Sequence, residues 1–261
     1  MLGLGNSICA SHYSSGWSDP ASTSNLAIWL KFNTNITSDQ DASQTSHDHS
    51  TDAGNLADTD RINAWNAFGD TSINATQSTF GDKPLWETDS ADLGGLKFAA
   101  GIKYMDFSTG IDIAADTDFS VVMRVKVSSH GGAFLGSTEA EFIKTVNDKR
   151  IQVTINGVVK NFEEASDTIA TDTYYTFIFS RTNGATGNLN VYVNGGSFSD
   201  KDWDAAENHT NTANFVINNL GSRADDTGNF QGFIKDAIVY NGTALTADER
   251  ALMYTYIDAQ E

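Results

Sequence analysis

The sequence predicts an all-β fold, an antiparallel β-sandwich, from three observations. Apolar and polar residues alternate in short runs along residues 118–240, which is the pattern of strands with one buried face. Two of these runs end at Asn156-Gly157 and Asn194-Gly195, residue pairs that favour tight hairpins. The 261 residues include 22 glycines and only 2 prolines, as many turns require. No Pro-rich or charge-rich linker divides the chain, so we predict one large sandwich rather than two domains.

The composition excludes several classes of partner. The formal net charge is −18, and the 16 Lys and Arg residues are scattered rather than clustered. Nucleic acids and anionic membrane surfaces are bound by clustered cations, so we predict neither as a partner. The acidity indicates a soluble, self-repelling surface, with divalent-cation sites or a saline habitat as the alternative.

The N-terminus lacks the features of a secretion signal. It has no cationic region before a long apolar core, and no window approaches the ~20 apolar residues of a membrane helix. Cys9 is alone, so no disulfide forms within the chain. We therefore expect synthesis in a cytoplasm without a signal peptide.

Residues 1–24 are small, polar and Gly/Ser-rich, and we predict an N-terminal arm outside a sandwich that occupies residues 25–261. The arm is either a loose tail or an attachment arm that inserts between neighbouring subunits. In the second case its apolar residues are the anchors: Leu2, Leu4, Tyr13 and Trp17.

The first predicted strand is Asn25–Asn33, where alternate apolar residues share one face. Residues 34–84 then form a long elaborated loop region, because the stretch 39–52 has almost no apolar residue. His47-Asp48-His49 lies in that stretch. Imidazole and carboxylate are good metal ligands, but the sequence offers no third ligand cluster beside them.

Short strands follow at regular spacing, which favours an antiparallel sandwich over a βαβ fold. The strongest alternation begins at Phe119, where five apolar residues share one face and oppose Arg124 and Lys126. We predict strands at Leu85–Glu87, Gly95–Ala99, Tyr104–Phe107, Phe119–Val127, Ala133–Leu135, Glu141–Lys144, Ile151–Ile155, Tyr175–Phe179 and Leu189–Val193.

Residues 214–241 predict a strand, a polar loop and a second strand. By simple alternation, Asp236 falls on the same face of the second strand as Ile234 and Ile238. A helix follows over residues 247–258, after a capping box that begins at Thr246. Its apolar stripe is expected to cap the sandwich and consists of Leu252, Met253, Tyr256 and Ile257.

A carboxylate at Asp236 needs partners, because an unpaired buried charge costs much free energy. Backbone amides or Arg223 are one set of partners. The other is a calcium ion held together with Asp225 and Asp226 of the preceding loop, since calcium favours several oxygen ligands.

The closing segment resembles that of laminin-G-like domains in the concanavalin A-like lectin/glucanase superfamily. The pattern is carried here by Gly221, Arg223, Phe230, Gly232, Ile234, Asp236, Val239, Tyr240, Asn241, Leu245, Thr246 and Glu249. Residues 61–84 and 174–195 are also similar to blocks of this family. The resemblance spans residues 26–258 and implies a concanavalin A-like jelly-roll sandwich with a short C-terminal helix. It does not imply one activity, because the superfamily contains lectins, hydrolases, lyases and adhesion modules.

We find no catalytic constellation in the sequence and predict that the protein is not an enzyme. Hydrolases of the resembled superfamily carry two carboxylates on one strand, in a Glu-x-Asp-x-x-Glu or Glu-x-Asp-x-Glu string that is missing here. Glu139 and Glu141 have no Asp between them. The adjacent Glu163 and Glu164 are expected on opposite faces of a strand.

Glycan binding uses exposed aromatic side chains as stacking platforms. Trp203, in the polar loop 197–211, is the first candidate, and Trp86 is the second. The alternative for Trp203 is that it anchors its own loop.

The first residues, the arm, the block around Trp65 and the acidic surface resemble virion structural proteins of tailed phages. This resemblance implies a decoration protein at the virion surface, attached to capsid or tail proteins through its arm, and we expect a homo-oligomer. The alternative is a carbohydrate-binding adhesin that recognises host-surface glycans, and a glycanase or lyase is a third hypothesis. We predict no cofactor other than calcium.

Overall fold

The structure is a computed structural model that describes residues 18–31, 34–39, 46–49, 60–69, 71–87, 94–101, 103–182, 188–204, 209–210, 212–223 and 228–260. One α-helix, α1, spans Ala247–Asp258, and 3₁₀ turns lie at Pro20–Ser22 and Phe80–Asp82. The strands are β1 Leu26–Leu30, β2 Ile36–Asp39, β3 Ser46–His49, β4 Arg61–Trp65, β5 Ala75–Thr76, β6 Leu85–Glu87, β7 Gly95–Phe98, β8 Met105–Ile113, β9 Phe119–Ser129, β10 Ala133–Thr138, β11 Glu141–Thr145, β12 Arg150–Ile155, β13 Val158–Glu163, β14 Tyr174–Arg181, β15 Asn188–Gly195, β16 Phe198–Asp202, β17 His209–Thr210, β18 Phe215–Leu220 and β19 Gln231–Asn241.

The strands pair into one continuous network that folds into two layers. The front layer has the order β1–β19–β9–β14–β15–β16, with β7 beside the other half of β19. The back layer has the order β5–β8–β18–β10–β11–β12–β13. β4 pairs with β5 and with β6, the neighbour of β7, and so closes one side. All these pairings are antiparallel, and the predicted sandwich is confirmed.

The core lies between the layers and is built by the predicted alternation. The five alternate apolar residues of Phe119–Val127 all lie in it. Ring centroids are 5.4 Å apart between Phe134 and Phe177, and 5.7 Å apart between Phe119 and Phe215. Each of these pairs joins the two layers, so the aromatic contacts hold the layers face to face.

Helix α1 covers the outer face of the front layer, and its predicted capping box is present. Its buried side chains are Arg250, Met253, Tyr254 and Ile257, so the predicted stripe with Leu252 and Tyr256 is shifted. The shift arises because Arg250 and Tyr254 both donate to the Asp200 carboxylate of β16, at 2.7–2.9 Å. No helix in the described ranges is long and apolar enough to span a membrane.

The prediction for the Asp236 face holds for Ile238 but is wrong for Ile234, because a β-bulge interrupts β19. Its register with β9 shifts between Ile234 and Asp236. Ile234 therefore packs in the core between the layers, whereas Ile238 packs beneath α1. A bulge adds one residue to one strand and reverses the alternation beyond it.

The region 34–84, predicted to be a loop, contains strands. Among the described residues, β2 pairs with both β3 and β4, and β3 lies within the polar stretch 39–52. Ile36 of β2 and Trp65 of β4 are fully buried and supply the apolar side of this small sheet. β3 joins this sheet by backbone pairing, and its polar sequence has no hydrophobic periodicity from which to predict a strand. The side chains of His47-Asp48-His49 lie outside the described part.

Part of the predicted arm packs on the sandwich. Tyr240 of β19 donates from its hydroxyl to the carbonyl oxygen of Pro20, 2.9 Å away. The predicted anchors lie outside the described residues: Leu2, Leu4, Tyr13 and Trp17.

Arg181, at the end of β14, is a buried cation that ties two loops together. Its side chain donates to the carbonyl oxygens of Ala114, Thr117 and Ala213, at 2.6, 3.0 and 2.6 Å. The guanidinium also lies 5.0 Å from the centre of the Phe119 ring. Charged donors make the stronger hydrogen bonds, so this residue fixes one end of the sandwich.

Candidate functional site

The edge of the back layer formed by β12 and β13 carries a polar groove of about 360 Å³. This volume lies at the lower end of the range of small-molecule sites. The groove lies between the β11–β12 turn and the end of β13. We call it the edge groove; its lining consists of Asn147, Lys149, Arg150, Glu163, Glu164 and Ala165.

The β11–β12 turn forms one wall, and backbone bonds fix it. The Asn147 side chain accepts a hydrogen bond from the Lys149 N–H at 2.9 Å, an Asx turn of the kind that Asn favours. The Lys149 carbonyl in turn accepts the Glu164 N–H at 3.1 Å. Arg150 pairs in register with Glu163, and their side chains form an ion pair. These hydrogen bonds and the ion pair therefore fix the shape of the groove before any ligand binds.

Trp203 lies beneath this wall rather than on the surface. Its side chain is fully buried, and its indole N–H donates to the Lys149 carbonyl at 3.3 Å. Trp86 is also buried in the core. Neither indole presents a face to a sugar, which corrects their prediction as stacking platforms. Trp203 instead anchors a loop, the alternative that the sequence left open.

Glu164 is the most firmly held carboxylate of the groove. One oxygen accepts from the Asp204 N–H at 3.2 Å, and the other lies 3.4 Å from the Lys201 ammonium. A hydrogen bond to Asp167 and the charge of Glu164 raise the pKa of Lys201, so this cation stays protonated. Asp204 also accepts the Glu163 N–H at 3.4 Å.

Glu163 and Glu164 both line the groove. Strand β13 ends at Glu163, and strand alternation therefore no longer governs Glu164. Arg150 and Glu163 are substantially exposed, at 40% and 53% of their side-chain surface. The groove thus offers both hydrogen-bond donors and acceptors to a ligand.

Of the predicted calcium site, the structure describes only Asp236. In register, Asp236 lies opposite Arg124, and Arg223 pairs with Glu139 at 2.9 Å instead. Asp225 and Asp226 lie outside the described residues. Within the described ranges, no group of three or more His, Cys, Asp or Glu side chains could hold a metal ion.

Two carboxyl groups outside the groove lining are shifted towards the acid form. Burial raises the pKa of Glu141, and Asp112 adds to the effect, while the Val216 N–H opposes it. Burial likewise raises the pKa of Asp202 on β16, with a contribution from Glu164 of the groove. Sequence reasoning did not find Asp202, because its neighbours come from distant segments.

Comparison with known proteins gives a family and a fold. The Laminin_G_3 model of the concanavalin A-like lectin/glucanases superfamily matches residues 100–249. A GH54 α-L-arabinofuranosidase soaked with a cyclic sulfate inhibitor matches 90% of the chain with a TM-score of 0.64 and 10% identity. An arabinofuranosidase complexed with arabinofuranosyl-α-1,2-xylobiose matches 90% with a TM-score of 0.60 and 10% identity. A search of curated protein sequences found no match.

These matches correct the prediction that the protein is not an enzyme. The similar structures are glycoside hydrolases, so the fold is one on which such enzymes are built. The chain spans 63% and 61% of the two hydrolase chains, and identity at this level establishes the fold alone.

Proposed function

Since this chain belongs to the concanavalin A-like lectin/glucanase superfamily, we propose that it is a carbohydrate-binding β-sandwich whose ligand occupies the edge groove. One observation carries the proposal: donors and acceptors converge on a groove whose backbone is already fixed. Sugar hydroxyls both donate and accept hydrogen bonds, so a mixed lining suits them better than a purely cationic or apolar one. A preset wall also lowers the entropy lost on binding.

The groove favours recognition by hydrogen bonds rather than by stacking, because its tryptophan is buried beneath it. The ion pair of Arg150 and Glu163 can open towards a ligand at small cost, since exposed ion pairs contribute little. Glu164 keeps its position through Asp204 and Lys201, and we assign it the fixed acceptor role.

Calorimetric titration with arabino- and xylo-oligosaccharides tests this proposal, a panel chosen from the ligands named for the similar structures. We expect saturable binding, and we expect Glu164→Gln to weaken it roughly 10- to 100-fold, the loss of one charged hydrogen bond. Glu139→Gln is the matched control, because Glu139 is 76% exposed and lies outside the groove lining. Binding that Glu164→Gln leaves unchanged, or an absence of binding across the panel, contradicts the proposal.

Glycoside hydrolysis is the second candidate, because two carboxylates line one groove. A retaining mechanism needs two carboxyl groups about 5–5.5 Å apart, and an inverting one needs about 6.5–9.5 Å. Release of nitrophenol from 4-nitrophenyl α-L-arabinofuranoside tests it. Activity that both Glu163→Gln and Glu164→Gln abolish supports catalysis in the groove, whereas activity that survives both changes excludes it.

Virion decoration remains a prediction from the sequence. The similar structures named above are hydrolases, and residues 1–17 lie outside the described part. Deletion of residues 1–24 tests this prediction, and the measurement is whether the shortened protein is still incorporated into virus particles. Homo-oligomerisation and calcium binding likewise stay predictions.

A further inference from the structure

Two cations lie over one aromatic ring on the outer face of the back layer. The Lys144 ammonium is 5.2 Å and the Arg223 guanidinium carbon 5.6 Å from the centre of the Phe142 ring. The chain has a net charge of −18 and only 16 Lys and Arg residues. The charge of Arg223 lowers the pKa of Lys144, so the two cations repel each other, and an anion between them would turn the repulsion into attraction.

The fold fixes this arrangement from both sides. Lys144 and Phe142 share the outer face of β11, because Ile143 between them packs in the core. Gly136 of β10 pairs with Phe142, and a Cβ at Gly136 would lie 2.4 Å from the Arg223 carbonyl oxygen. The backbone of Arg223 therefore rests directly on β10, where only glycine leaves room for it.

Both cations have N–H donors that make no hydrogen bond to a described residue. In the described part of the chain, Arg223 Nε is buried without a hydrogen-bond partner. The ion pair of Arg223 joins its Nη2 to the carboxylate of Glu139, whose side chain is 76% exposed. Among the described residues, no hydrogen bond or ion pair reaches the side-chain ammonium of Lys144. Burial and the charge of Arg223 both lower the pKa of Lys144, so a nearby anion would stabilise the charged ammonium.

We propose that Lys144 and Arg223 form a binding site for an anionic group, a carboxylate or a sulfate, of an acidic saccharide. The exposed carboxylate of Glu139 already occupies one side of the guanidinium and shows that this chemistry fits there. A ligand displaces it at little cost, since an exposed ion pair contributes little. Gln152, which pairs in register with Lys144, donates from its amide to the Thr154 hydroxyl at 3.0 Å and has an amide oxygen that can accept from sugar hydroxyls. This site shares no lining residue with the edge groove and goes beyond the function proposed there.

Titration of the full chain at low ionic strength tests the proposal. The probes are oligogalacturonate, a sulfated oligosaccharide, a neutral xylo-oligosaccharide and sodium sulfate. We expect the acidic oligosaccharides to bind through this site and Lys144→Gln to weaken them about 10-fold or more, the loss of one charged contact. Lys160→Gln, on strand β13 of the same layer, is the matched control and is expected to change nothing.

The outcomes separate this site from the groove and from diffuse attraction. Loss of acidic-oligosaccharide binding in Lys144→Gln, with normal binding in Glu164→Gln, supports the site whatever happens at the groove. Sodium sulfate binding that needs Lys144, without oligosaccharide binding, overturns the assignment to an acidic saccharide and leaves a site for free anions only. Equal weakening by Lys144→Gln and Lys160→Gln, or no preference for acidic over neutral probes, overturns the proposal.

Discussion

Replacement of Arg181 by methionine is the sharpest test of the fold described above. The substitution keeps much of the side-chain volume but removes three hydrogen bonds to carbonyl oxygens. The Arg181 side chain is 1% exposed, whereas the residues that carry the three carbonyls are exposed or half-buried. A hydrogen bond contributes about 1 kcal/mol net, so we expect the loss of three to lower the free energy of unfolding by about 3 kcal/mol. For a chain of this size that is roughly 10 °C in Tm.

Urea denaturation followed by tryptophan fluorescence measures this loss. Arg150→Met is the matched control, because Arg150 is 40% exposed and its ion pair is expected to contribute at most about 1 kcal/mol. A change below about 1 kcal/mol in Arg181→Met would refute the reasoning, since it would mean that the three carbonyls find other donors at no cost.

Three further predictions follow from single contacts. Gly232→Ala is expected to lower the free energy of unfolding by about 3 kcal/mol, because the new Cβ would lie 2.1 Å from a backbone oxygen. Gly81→Ala is the control: Gly81 has open space around it, so the change should be nearly neutral in the same denaturation assay. Burial raises the pKa of Glu141, so the folded state binds its proton more tightly and stability falls as pH rises above the unfolded pKa. Glu141→Gln should therefore stabilise the fold at pH 7 but not at pH 3, and equal effects at both values would contradict the burial argument. Tyr254→Phe removes the 2.7 Å bond to Asp200 and should cost about 1 kcal/mol by thermal unfolding.

Hydrophobic alternation predicted the sandwich because it reports burial directly. The strand that begins at Phe119 and the helix that begins after Thr246 both lie where their patterns place them. The bulge before Asp236 was not predictable, because a one-residue insertion depends on the partner strand rather than on the local pattern.

The residues of the candidate sites were harder to predict from the sequence than the strands were. Trp203 is buried because the Lys149 carbonyl, from a distant turn, accepts its N–H. Glu164 joins the groove because β13 ends one residue earlier. Lys144 and Arg223 are brought together by a close approach of two backbones, which no spacing in the sequence encodes.

The pairing of β1 with β19 has a consequence for how the protein is made. Leu26 is paired with Tyr240, and the hydroxyl of Tyr240 reaches Pro20, 220 residues away along the chain. During synthesis β1 cannot pair with β19 until residues 231–241 have left the ribosome. Pairing between strands so far apart in the sequence slows folding. Until β19 has been made, the edge of β9 that β19 will cover stays unpaired, and neighbouring nascent chains can add a strand there. A stop codon before residue 231 should therefore yield aggregates rather than a smaller soluble sandwich.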